Sequence, residues 1–245
     1  MDTPFEGARL KIKRANQHIA DIKSKVNGLI DAYTVTIETN ANTGDESVRY
    51  GLPDSNTPIQ IALVTGDAIH NLKTALDYAW MGVLSRFVPA AVDNFSKFPI
   101  LQSRNDLEGA LNGREIHSSA PNLFRLMVSD IKSYKGGNDS IWCIHRLDII
   151  DKHRLLLPVM NYTALQGIEL QNNTGEIIRG GTWATTQPRP FFADIPNGYH
   201  IKNKGQVVVT VIFGKGTPVD GMDVSDMLST FAIVVLNIVE LLENV

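Results

Sequence analysis

Two stretches of the chain concentrate side chains that could do chemistry. In the first, Gly66, His70, Lys73 and Asp77 recur every three or four positions, with Asn71 and Thr74 beside them. At about 100° per residue they share one helical stripe. Leu63 precedes that stripe, and Met81 and Leu84 follow it on the same face. A polar patch bounded by apolar residues along its own face is an island in a packing region, and its groups need partners. The second stretch is Ile141 to Arg154, where His145, Asp148 and Lys152 fall on one face and Arg146 and His153 on a neighbouring one. Asp151 projects away from that face, nearer Leu147. The two islands are expected to face each other across a helix pair, so that His70, Asp77, His145 and Asp148 converge.

Three chemistries fit such a convergence. Two imidazoles and two carboxylates on facing helices suit a divalent ion, with His70, Asp77, His145 and Asp148 as its ligands. Against this, Lys73 and Lys152 bring positive charge to the place a cation would occupy, and bundle metal sites normally show an i, i+3 pattern. A nuclease is the second. Arg146, followed after six residues by His153, resembles the Arg-x(4–6)-His pattern of the HEPN family of helical ribonucleases. That resemblance implies an arginine holding phosphate and a histidine moving a proton, with His70 as a further catalytic candidate. In the third, Asn71, Lys73, Asp77, His145, Asp148, Asp151 and Lys152 satisfy one another at a helix junction and hold a register. This structural reading carries most weight, because structural ion networks cluster titratable groups as active sites do.

Other motifs say less. Cys143 and His145 lie about 200° apart on a helix and cannot form a nucleophile–base dyad. Gly214-Lys215-Gly216-Thr217 lacks the spacing of a phosphate loop. Tyr134 to Asn138 precedes a helix and offers an anion nest, with a plain turn as the simpler reading. His18, His117 and His200 are expected to be isolated and exposed, and Phe98-Pro99-Ile100 to be a packing segment.

The elements that must position these groups are legible. Phe5, Ala8, Ile12, Ala15, Ile19, Ile22, Val26, Leu29 and Tyr33 follow 3-4 spacing, one apolar seam on a long helix. Alternation at residues 33–38 and 48–52, around a turn at Asn40 to Asp45, predicts a hairpin at 33–52. Thr57-Pro58 opens a second helix reaching about Arg86, apolar over most of its circumference and therefore buried. Shorter helices are expected at Arg104 to Leu111, Pro121 to Ser133 and Ile141 to Arg154. Then the pattern changes to strands at 155–162, 165–170, 176–182, 191–195 and 206–213, read as an antiparallel meander. A helix from Asp223 closes the chain. The expected class is α+β: a long-helix bundle packed with an antiparallel β-meander, in a single domain spanning 1–245. Its parts are helices to about 154, a sheet over about 155–214 and a terminal helix over about 223–244.

Composition narrows the partners. The 245 residues carry 23 Lys plus Arg against 26 Asp plus Glu, a net charge of −3, so charge alone does not point to nucleic acid. Mixed charge and 43% apolar residues exclude a disordered or coiled-coil-only chain. Cys143 stands alone, so neither an internal disulfide nor a thiol knuckle is expected. The opening residues lack the basic-then-apolar order of a secretory signal, and no apolar run is expected to span a bilayer. A soluble cytoplasmic protein is the expectation, and the sequons at Asn161 and Asn172 then carry no weight. The sequence alone leaves the cofactor unknown. The seams of the first and last helices allow a homodimer.

The order of four blocks also carries a resemblance. Gly66-Asp67-Ala68-Ile69-His70-Asn71-Leu72-Lys73-Thr74-Ala75-Leu76-Asp77-Tyr78 is followed by Phe98-Pro99-Ile100, Tyr134-Lys135-Gly136-Gly137 and Leu147-Asp148-Ile149-Ile150-Asp151-Lys152-His153-Arg154. This resembles a family of uncharacterised bacterial proteins with a GD-x-x-HNL-[RK]-x-x-LD helix and an LD-x-x-DKHR helix. It covers most of residues 1 to 160. It implies that the two islands are the family's hallmark, and it implies no substrate, cofactor or reaction. Lys73 and Tyr78 stand where relatives are expected to carry Arg and His, which weakens a direct ligand role for both.

Overall fold

The computed structural model describes residues 4–51, 57–92, 97–154, 159–179, 183–185 and 191–245. The fold is α+β. Its helices are α1 (Pro4–Ala32), α2 (Thr57–Phe87), α3 (Arg104–Asn112), α4 (Ile116–Ser119), α5 (Pro121–Arg125), α6 (Asp139–Arg154) and α7 (Val224–Glu243). Its strands are β1 (Thr34–Thr39), β2 (Glu46–Gly51), β3 (Val159–Asn172), β4 (Ile177–Arg179), β5 (Trp183–Thr185), β6 (Phe191–Asp194) and β7 (Tyr199–Phe213). The chain divides into two compact units, one of residues 1–22, 62–158 and 213–245, the other of residues 23–61 and 159–212.

The first unit is helical. The seam of α1 is buried at Phe5, Ala8, Ile12, Ala15, Ile19 and Ile22. A Cβ on Gly82 would lie 3.0 Å from the Phe5 ring, and one on Gly7 2.9 Å from Tyr78. Positions therefore rise on α1 as they fall on α2, and the two helices run antiparallel. At the far end of α2, Arg86 donates to the Glu243 backbone carbonyl at 3.0 Å, and Arg9 of α1 binds the Glu243 carboxylate. α7 starts at the Asp223 cap, whose carboxylate accepts from the Asp226 N–H at 2.8 Å. It buries Val224, Leu228, Phe231, Val235, Ile238 and Leu242. Leu241, on the same stripe of α7, stays 46% exposed. Contrary to expectation, α7 is 20 residues long with a mean hydropathy of 1.7 in its most apolar window, enough by length and composition to cross a membrane. A buried core helix meets the same criterion.

Between α5 and α6 the chain departs from the single helix expected over 121–133. Residues Leu126–Ile131 form a π-helical turn that ends at Lys132 in the left-handed region, φ 56°. Leu101 pairs with Tyr134, and Asn138 caps α6 by accepting from the Ile141 N–H at 3.2 Å. The anion nest fails here. The N–H groups of Tyr134, Lys135, Gly137 and Asn138 all donate to backbone carbonyls.

The second unit holds two sheets. β1 and β2 form the expected hairpin, antiparallel from Thr34 opposite Gly51 to Thr39 opposite Glu46. The β4–β3–β5 sheet is antiparallel, and β7 also pairs with β3. Asn172 shapes the β3–β4 turn, its Oδ1 accepting from the Thr174 and Glu176 N–H groups, while Gly175 takes φ 89°. Two readings of the meander change. The strands expected over 155–162 and 165–170 are one, β3 from 159 (residues 155–158 lie outside the described set). β6 joins the hairpin through β2 and not its sequence neighbours.

Candidate functional site

α2 and α6 supply the polar groups, and three pairs give their register. A Cβ on Gly66 would lie 2.5 Å from Asp151 Oδ1 and 2.7 Å from its Cγ. His70 Nδ1 lies 3.1 Å from Asp148 Oδ1. Lys73 and His145 line one cleft. Numbers rise on α2 as they fall on α6, so this pair is antiparallel, and at Gly66 the absence of a side chain admits the Asp151 carboxyl group.

The islands do meet, but they do not converge on one point. The half nearer Gly66 is an ion cluster. Asp148 has a side chain only 6% exposed and holds His70 on one oxygen and the Lys152 ammonium, at 2.5 Å, on the other. Asp151 corrects the sequence reading. It lies only about 60° round the helix from Asp148, and the close approach at Gly66 brings its carboxyl against α2. Burial, with Asp148 and Asp67 nearby, raises its pKa against the opposing pull of His70 and Lys152. His18 is not isolated either: it is half-buried near Asp67, and burial, helped by Arg14, lowers its pKa. His117, by contrast, is exposed against Phe124, and His200 is exposed beside Glu46.

The other half of the stripe turns to a different partner. Lys73 is buried and donates to Asp77 Oδ1 at 2.5 Å, and the same oxygen accepts from the Phe98 N–H at 2.8 Å. Asp77 therefore anchors the segment after α2 and is not a ligand alongside Asp148. Among the described residues no group of three His, Cys, Asp or Glu side chains is placed to hold a metal ion, so the four-ligand site expected from the spacing does not assemble. Asn71 also leaves the site, since its amide donates to the Asp67 carbonyl of its own helix at 2.7 Å. Arg146 and His153 are exposed and make no hydrogen bond or ion pair to the cluster.

A cleft of about 330 Å³ opens beside this second half. Its lining is Lys73, Lys97, Arg114 and His145 together with apolar Trp80, Phe98, Pro99, Ile100, Leu101, Ala110 and Leu111. The Trp80 and Phe98 rings meet edge to face, with centroids 6.0 Å apart. Burial first, then the Lys73 charge, lowers the His145 pKa, with Asp148 opposing, which favours the neutral imidazole. Trp142 lies beside that ring, centroids 6.0 Å apart. Cys143 is half-buried, and burial raises its thiol pKa away from the reactive range. Sequence reasoning missed Lys97, Arg114 and Trp80. The available signal was Phe98-Pro99-Ile100, a short block within the resemblance that reads on its own as packing.

Compared with protein-family models, curated proteins and solved structures, the chain matches none of them.

Proposed function

We propose that the protein is a non-catalytic binding protein, in which the α2–α6 ion cluster holds the helix register and the adjoining cleft receives a small ligand. The observation that carries this reading is the lining of the cleft. It presents cations, one imidazole and apolar walls, and among the described residues no carboxylate, hydroxyl or thiol that could act as nucleophile or acid–base pair. The acids nearest it are engaged, Asp77 by Lys73 and the Phe98 N–H, Asp148 by His70 and Lys152. The two blocks that resemble the uncharacterised bacterial family coincide with the helices forming this register. A soluble cytoplasmic setting fits the lone free Cys143.

One observation favours a second reading. His70 is oriented by a buried carboxylate through Nδ1 while its side chain is 54% exposed, the arrangement of a general base held by an acid. Assays with single-stranded RNA and a p-nitrophenyl ester separate the two. The binding reading expects no turnover above buffer. Turnover abolished by His70→Gln or His153→Ala, at unchanged melting temperature, overturns it in favour of a hydrolase.

A further inference from the structure

We propose that the cleft beside Lys73 binds a small uncharged aromatic amide, its ring against the apolar walls and its amide edge on Lys73 and His145. This rests on the binding reading and deepens it by naming a ligand class. Lys73 is the first support. It lines the cleft with a side chain only 8% exposed, and among the described residues its ammonium makes one hydrogen bond, to Asp77 Oδ1 at 2.5 Å. An ammonium carries three N–H donors, and a donor left open in a buried place keeps its desolvation cost. A ligand oxygen removes that cost. Lys73 and Asp77 cancel as a pair, so a carbonyl does this without burying an unbalanced charge. Arg114 has an interaction of its own and Lys97 is exposed, so neither charge selects the ligand.

His145 is the second support. Its half-buried ring lines the same cleft, packs on Trp142, and makes no hydrogen bond among the described residues. Burial and the Lys73 charge favour its neutral form, which has one acceptor nitrogen. An amide answers both groups, its carbonyl accepting from Lys73 and its N–H donating to the imidazole. A carboxylate has no proton for that nitrogen and sets a second anion beside Asp77. Shape is the third support. Trp80, Phe98, Pro99, Ile100 and Leu111 supply apolar walls, and a volume of about 330 Å³ lies at the small end of ligand pockets. The walls are pinned in advance. The Phe98 N–H is held by Asp77, and Leu101 donates to the Ser133 carbonyl at 3.1 Å. Ordering that segment is therefore not a cost borne by the ligand.

Isothermal titration of the full chain with benzamide, acetophenone, benzoate and acetamide tests this. Benzamide is expected to bind with a dissociation constant below about 1 mM, and the other three at least ~10-fold more weakly. His145→Phe, and Lys73→Met combined with Asp77→Asn, are each expected to weaken benzamide about 10-fold. Ala110→Phe, at an exposed position of α3 that lines the cleft, is expected to abolish binding with the circular dichroism melt unchanged. That variant keeps the site testable if the others disturb folding. Acetophenone binding as well as benzamide overturns the part given to His145, benzoate binding as well overturns the uncharged polar group, and acetamide binding as well overturns the apolar walls. No saturation by benzamide, or binding indifferent to Ala110→Phe, overturns the amide site. Benzoate alone binding, and losing its binding in Ala110→Phe, overturns the amide while the binding reading stands. Release of ammonia from benzamide supports the site but overturns the non-catalytic reading, so the two fail separately.

Discussion

Two ion pairs of the same i, i+4 spacing sit in opposite environments, and that contrast predicts opposite mutational costs. In Lys73–Asp77 the cation is buried, 8% exposed against 25% for the carboxylate. In Asp148–Lys152 the carboxylate is buried, 6% against 51% for the cation. Removing Asp77 strands a charge that is only 8% exposed and leaves the Phe98 N–H without its acceptor. Breaking a buried pair in this way costs roughly 3–5 kcal/mol, a large share of the ~5–15 kcal/mol that holds a domain together. Removing Asp148 instead frees Lys152 and His70, both about half in solvent, so Asp148→Ala is expected to cost only about 1–2 kcal/mol. The assay is urea unfolding followed by tryptophan fluorescence, since Trp80 is buried beside the pair. With a slope near 3 kcal/mol/M for a chain of this size, Asp77→Ala should lower the midpoint by about 1 M or more. Lys73→Met should restore much of that loss in the double variant, giving a coupling energy of about 2–3 kcal/mol. Equal costs for Asp77→Ala and Asp148→Ala, or a double variant no better than Asp77→Ala, would refute the reasoning from burial.

Further expectations follow from single groups. Asp151 has a raised pKa in the folded state, so between its unfolded and folded values the native protein retains a proton that the unfolded chain has lost. Stability falls as pH rises through that window, and the deficit persists at neutral pH. Asp151→Asn should therefore melt higher than the parent at pH 7 and equally at pH 3; a lower melt at pH 7 contradicts this. Ser133 Oγ is buried with no hydrogen-bond partner, so Ser133→Ala should leave stability unchanged or raise it by up to about 1 kcal/mol in urea unfolding. Gly66→Val should lower the unfolding free energy by about 1–3 kcal/mol in urea, because its side chain meets the Asp151 carboxyl, and Asp151→Gly should recover part of the loss. Arg9→Ala, at a solvent-exposed pair with Glu243, should cost under about 1 kcal/mol, and less again in 1 M salt.

The long helices were legible because burial imposes a period on them: the 3-4 seam from Phe5 to Ile22 and the apolar girth of Ile61 to Val83 leave marks that survive in one sequence. The start of the last helix was legible at Asp223, which the structure makes its cap. What escaped depended on partners far away in the chain. Nothing near Phe191 to Asp194 records that it pairs with Ser47 to Tyr50. Helical projection counted Asp151 in the cluster but turned it away from the Asp148 face, because an angle around one axis does not record the room that Gly66 leaves on the next helix. The meeting of α2 with α6 was foreseen, the splitting of the stripe between an ion cluster and a cleft was not. Asp77 turned toward Phe98 because a backbone donor stood within reach, a fact of the loop's path that spacing does not encode.

The helical unit draws on three separate lengths of chain, and the last of them, 213–245, brings α7. During synthesis Phe231, Val235 and Leu242 emerge after the other two lengths of the helical unit, so the nascent chain holds an unfinished interior until α7 has been made. Loop closure across the 54 intervening residues 159–212 must come first. Stop codons placed just before Val224 should thus yield a chaperone-bound or degraded product and not a smaller working protein.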